Sequence, residues 1–378
     1  MPNELEIKGR LNTSDLNQIW SSVEHLKLGN ATIEGNSLPD KAFANRNLVS
    51  VELPAGLTSV GRNLFENCNR LASVIWHSDI DLTTEAMAGI NNPNLIYYVN
   101  SVTLAPQADN VVSLATNQAT NIVLQDVAEG DGNFYCLRPF LARKISYTRN
   151  FKLHSGKGAS AGWETITLPF NVATVTHERN GLLSPFGSNV SNTKPFWLYS
   201  LQESGFNPAM EIVANTPYII CMPNNEDYAN EYNQYGNVTF SATDVEIPVT
   251  SVVASIRKTA DGTISLIPTY SKITEANNLY AINRELYKGI FEPGSVFAPS
   301  SDIRPFEAYS TVEMKSSNIP HPSYIPIFNN GTPTGIFLLE KSRGDMSDVW
   351  YSIDGQKLQG KPTAKGIYIV NGRKVVIK

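Results

Sequence analysis

The sequence predicts a mainly β protein: a short solenoid of stacked repeats, then an antiparallel β-sandwich, then a small C-terminal β-module. Three observations predict it. An apolar pattern recurs at nearly constant spacing between residues 23 and 100. Short β-branched and aromatic runs fill the middle of the chain between Gly, Pro and Asn turns, and the last residues read as a hairpin.

Composition narrows the function classes. The 378 residues have room for two or three cores. Charged residues make up only 17%, below the usual ~25%, so Asn, Ser and Thr carry much of the polar surface. Thirty basic against 35 acidic residues give a net charge of -5. Basic residues cluster no further than short pairs such as Arg373-Lys374, which argues against a nucleic-acid partner. No stretch reaches the ~18 consecutive apolar residues of a transmembrane helix. The start, Met1-Pro2-Asn3-Glu4, lacks a signal peptide's basic and apolar regions, leaving a cytosolic protein or a processed, exported one. Cys68, Cys136 and Cys221 form no CxxC and cannot all pair with one another; each is expected to act as a small buried hydrophobe.

The repeats come first in the chain. Val23-x-x-Leu26-x-Leu28, Leu48-x-x-Val51-x-Leu53, Leu71-x-x-Val74-x-Trp76 and Leu95-x-x-Tyr98 start 25, 23 and 24 residues apart. The fourth ends on Asn100 instead of an apolar residue, and Leu5-x-Ile7 reads as a degenerate cap strand. Ala42-Phe43-Ala44-Asn45 and Leu64-Phe65-Glu66-Asn67 repeat in the outer halves, 22 residues apart. One such unit cannot bury its apolar edge alone, but neighbours stacked on each other close a continuous core.

These segments, with Leu53-Pro54, Val60-Gly61 and Cys68-x-x-Leu71, resemble the BspA-like leucine-rich repeats. Those repeats are typical of surface and secreted proteins of the Bacteroidetes. The resemblance implies a leucine-rich-repeat domain over residues 1–105 and an adhesive role at the cell surface or outside the cell. In such a solenoid the alternate strand residues line a concave face, which predicts binding residues His25, Lys27, Ser50, Glu52, Ser73, Ile75, Tyr97 and Val99.

Residues 106–325 read as the sandwich. Examples of its strands are Asn121-Ile122-Val123-Leu124, Trp163-Glu164-Thr165-Ile166, Pro195-Phe196-Trp197-Leu198 and Pro217-Tyr218-Ile219-Ile220. Asp131-Gly132, Asn180-Gly181 and Asp261-Gly262 mark turns. Tyr228, Tyr232 and Tyr235 form a stripe suited to stacking on a sugar or a protein. Residues 326–378 read as the terminal module, ending in a hairpin about Asn371-Gly372. That tail is similar to C-terminal sorting or anchoring modules of exported proteins.

No catalytic or metal constellation is read. His25, His77, His154, His177 and His321 lie in different segments without ligand spacing. His154-Ser155-Gly156-Lys157-Gly158 lacks both the GK[ST] ending and the helix of a phosphate loop, and no G-x-S-x-G elbow occurs. The sequence thus predicts a non-catalytic, cofactor-free interaction protein binding a protein or glycan. The alternatives are a carbohydrate-active enzyme with its acid pair in the sandwich, or a purely structural surface component. The oligomeric state is left open.

Overall fold

The computed structural model describes residues 3–127, 132–156, 160–188, 190–225, 229–274, 278–329, 332–333, 350–352, 358, 362–370 and 373–377. The chain divides into two compact units, Met1–Leu338 and Leu339–Lys378.

The first unit opens with a parallel ladder. Strands Glu4–Glu6, His25–Lys27, Ser50–Leu53, Ser73–Trp76, Ile96–Val99 and Val111–Ser113 follow one another in register. Leu5 pairs with Leu26, Leu26 with Val51, Val51 with Val74 and Val74 with Tyr97, so the cap strand is real. All of these but Leu5 are buried. Burying such a row is the main favourable term for a repeat that has no core of its own.

This register shifts the fourth copy by one residue from the expected Leu95-x-x-Tyr98. Tyr97 and Val99 continue the interior rows of Val74 and Trp76, while Ile96 and Tyr98 face outward. Leu95, buried in the solenoid core with Leu48 and Leu71, keeps the leucine position, and Asn94 directly precedes it. Fully buried, the Asn94 side chain donates to the Gln125 and Gly132 carbonyls and accepts from the Gln125 N–H. Here an amide beside the repeating leucine joins the array to the chain beyond it.

The outer arc repeats as well. The N–H groups of Lys41, Phe43 and Asn45 donate to the carbonyls of Arg62, Leu64 and Glu66. The rings of Phe43 and Phe65 stack 5.4 Å apart, and Asn67 Nδ2 donates to Asn45 Oδ1 at 2.8 Å. Both asparagines have left-handed backbones, φ 59° and 61°, a conformation Asn tolerates better than other non-glycine residues. At the front, Asn12 and Asp15 form a capping box on the short helix Thr13–Asn17.

Beyond the ladder the same sheet curls on through Phe140–Phe151, Gly236–Ile247, Thr174–His177, Gly181–Pro185, Lys194–Gln202, Tyr218–Cys221 and Trp163–Ile166. Most of these later pairings are antiparallel. A six-stranded antiparallel sheet, which includes Gly262–Thr269, Leu279–Ile282 and Glu307–Met314, packs against it. Together they form the sandwich-like β region, whose core holds Phe134, Phe140, Tyr147, Phe240, Tyr270 and Phe306. Turns close hairpins at Asn180-Gly181 and Asp261-Gly262, whereas Asp131 lies outside the described residues.

In the second unit, Trp350–Ser352, Gly366–Val370 and Arg373–Ile377 form a three-stranded antiparallel sheet. Val370 pairs with Arg373 across Asn371-Gly372, which lie outside the described residues.

Candidate functional site

The ladder presents two outward rows. One runs Glu4, His25, Ser50, Ser73, Ile96; the other runs Glu6, Lys27, Glu52, Ile75, Tyr98. Six of the eight residues expected on this face lie in them. Tyr97 and Val99 do not: they are buried inside the solenoid, and the true members of the fourth copy are Ile96 and Tyr98. The wrong phase arose because Ile96, Tyr97, Tyr98 and Val99 are all apolar, which leaves no period-two signal.

The face is open only over its first half. Lys27 Nζ lies 2.8 Å from Glu4 Oε1, and that hydrogen bond holds its ammonium above the usual lysine range. Glu52 Oε1 lies 2.7 Å from His77 Nε2, and Arg70 pairs with Glu24. A Cβ at Gly29 would lie 2.6 Å from Glu52 Oε1, so glycine lets that carboxylate lie across the turn. His25 bonds Ser50 Oγ at 2.9 Å and rests 5.0 Å from the Tyr135 ring. Partial burial pushes the His25 imidazole below its usual pKa, against the opposing pull of Glu24 and Glu4.

The second half is covered by the chain's own residues 133–138. Ser73 Oγ donates to the Tyr135 carbonyl, Tyr98 Oη to the Arg138 carbonyl and Asn92 Nδ2 to the Asn133 carbonyl. Asn133 Nδ2 in turn donates to the Asn69 carbonyl. Ile75, Ile96 and Tyr98 belong to the core of the β region. Ser73 and Ile75 are thus buried beneath a seam, at 0% and 5% exposure.

Known proteins agree with this geometry over the front of the chain. Residues 21–105 match the model of the BspA type leucine rich repeat region, in 6 copies. This segment is similar to BspA-type leucine-rich-repeat regions. Four ladder strands fall inside it, the number read from the strand spacing, so the family model divides the same segment more finely. Neither a curated protein nor a solved structure matches the chain.

The tyrosine stripe is only partly in view. Tyr232 and Tyr235 are exposed, with Lys194 Nζ 4.5 Å from the Tyr232 ring centre, whereas Tyr228 lies outside the described residues. The Tyr235 carbonyl accepts from Arg179 Nη2 at 2.6 Å. No group of three or more His, Cys, Asp or Glu is placed to hold a metal among the described residues. Among the described residues no helix is long and apolar enough to cross a membrane.

A second cluster escaped the sequence reading. Arg149, on Phe140–Phe151, lies in the core with its side chain 2% exposed. It donates through Nε to Tyr147 Oη (3.0 Å), through Nη1 to the Thr165 carbonyl (2.6 Å) and through Nη2 to the Phe306 carbonyl (3.1 Å). Asp126 and Glu164 face it at 3.8 Å, and burial raises Glu164 to about 7 despite the guanidinium beside it. The signal was present in the strand: Ile145, Tyr147, Arg149 and Phe151 share one face, so a charge stands in a core row.

Proposed function

We propose that the protein is a non-catalytic, secreted or surface-displayed interaction protein. It takes a protein or glycan partner on the open half of the ladder face, at Glu4, His25, Lys27, Glu52 and His77. The observation that carries this reading is the contrast along one face. The rear half is closed by the chain itself, whereas the front half leaves a set of alternating charges at the surface. Such a set steers and registers a partner more than it stabilises the fold. The match to repeats of the BspA type supports an interaction role. Tyr232 and Tyr235 offer a second contact area, and the working division is residues 1–105, 106–325 and 326–378.

The test is a glycan and protein binding array with the full chain, followed by titration of any hit against the Lys27→Glu, Glu52→Lys double variant. A saturable hit weakened about tenfold or more by the double reversal is expected. Saturable binding that ignores these charges, or none at all, overturns the reading. Product release from a polysaccharide panel would instead make the protein an enzyme, and fractionation of the native cell tests export.

A further inference from the structure

The Arg149 cluster lines a cavity of about 190 Å³ where the curled sheet meets the six-stranded sheet, remote in sequence from the ladder face. Its polar groups fall into two sets. Arg284 and Glu307 form a closed pair, with Arg284 Nη2 2.7 and 2.9 Å from the two carboxylate oxygens and Nη1 2.8 Å from Asp302 Oδ2. Asp126 and Glu164 are held differently. Each stops 3.8 Å from Arg149, beyond hydrogen-bond length, and neither side chain accepts a hydrogen bond from a described residue. Lys152 and Arg304 line the same cavity, and their side chains make no hydrogen bond or ion pair with a described residue.

Arg149 cannot move to close the gaps, because two carbonyls and a phenol in the core already fix its guanidinium. The cavity therefore offers two acceptors on a rigid cationic base and two cationic groups free to engage an anion. With Asp302 counted beside Arg284, four cationic side chains meet four carboxylates, and Arg304 and Lys152 are the cations left without a carboxylate partner among the described residues, so an anionic group rather than a ligand ammonium completes them. Hydroxyl groups satisfy Asp126 and Glu164 without adding charge, and a ligand carboxylate suits Arg304 and Lys152. A cavity of roughly 150 Å³ already admits one six-membered ring.

We propose that this cavity binds a sugar acid, a hexuronic acid residue, with its hydroxyls on Asp126 and Glu164 and its carboxylate on Arg304 and Lys152. The inference does not depend on the ladder face, since none of these residues lies in the repeats.

Isothermal titration or saturation-transfer NMR of the full chain with galacturonate, glucose and alanine tests it. Galacturonate should saturate with a Kd of about 1 mM, the range expected for so small a ligand, with glucose about tenfold weaker or more. Arg304→Met and the exposed Lys152→Met should each bring galacturonate toward glucose, while Asp126→Asn should weaken both sugars. Thermal melts establish that each variant is folded, and Lys152→Met, lying at the surface, preserves the test if Arg304→Met does not fold. A trigalacturonide binding more tightly than the monomer marks a polysaccharide end as the ligand, and equal binding marks the free acid; both support the site. Absence of saturation by galacturonate at about 20 mM, twenty times the expected Kd, overturns the proposal. So does tighter binding of alanine, or a preference for galacturonate that survives both cation variants.

Discussion

The front and rear halves of the ladder bury the same kind of interior and present opposite exteriors. Leu26 and Val51 pack inward just as Val74 and Tyr97 do, and all four are sealed. On the other face, Glu6, Lys27 and Glu52 give way to Ile75 and Tyr98 along a single row. Over the front the row meets solvent; over the rear it becomes part of the next region's core. Stacking repeats therefore settles only one side of a strand. What the other side does depends on whether a later segment arrives to cover it.

The contrast can be broken most severely at Ile75. Ile75→Lys places a charge beneath residues 133–138 and is expected to cost about 4 kcal/mol or more, read as a fall in the urea midpoint. A loss below about 1 kcal/mol would show that the seam opens readily.

Titration sharpens the comparison. On the open face, hydrogen bonds from Asn30 and Lys8 lower Glu6, whereas in the β region beyond the ladder burial raises Glu164 to about 7. A carboxyl raised on folding contributes stability that is complete below its ordinary value of 4.5 and is lost as pH rises through 7. Asp126, Arg149, Arg284 and Glu307 surround the group and set the balance. Stability curves at pH 5 and pH 8 should differ between the native chain and Glu164→Gln by on the order of 2 kcal/mol, the variant losing less at high pH. Parallel curves would contradict the assignment.

Smaller effects follow. Ser73→Ala leaves the Tyr135 carbonyl without its donor beneath the seam and should cost about 1–2 kcal/mol by chemical denaturation. Lys27→Ala removes an exposed pair with Glu4 and should cost under about 0.5 kcal/mol in the same assay. Equal losses for these two variants would erase the distinction between the halves.

How much was legible follows from the same contrast. His25–Lys27 alternates between half-buried and buried residues, and such strands announce their phase. Ser73–Trp76 and Ile96–Val99 are buried at every position, so the alternation vanishes and the fourth copy is read one residue out of step. The change from Lys27 and Glu52 to Ile75 and Tyr98 was itself visible, and it marks where the covering begins. The repeat spacing, the hairpin turns and the β-rich middle were equally visible because each rests on local pattern. The cavity was not, because Asp126, Arg149, Glu164 and Arg304 come from distant segments. Only Arg149, a charge among Ile145, Tyr147 and Phe151, hinted at it.

The amide junction at Asn94 also bears on how such an array can change length. Asn94 ties the last coil to Gln125 and Gly132, so a further coil inserted beside it would break three bonds at once. A coil inserted ahead of His25 parts only the cap strand Glu4–Glu6 from its neighbour. Growth of this protein by duplication is therefore directed upstream, where every added coil widens the exposed charged surface and leaves the downstream joint untouched.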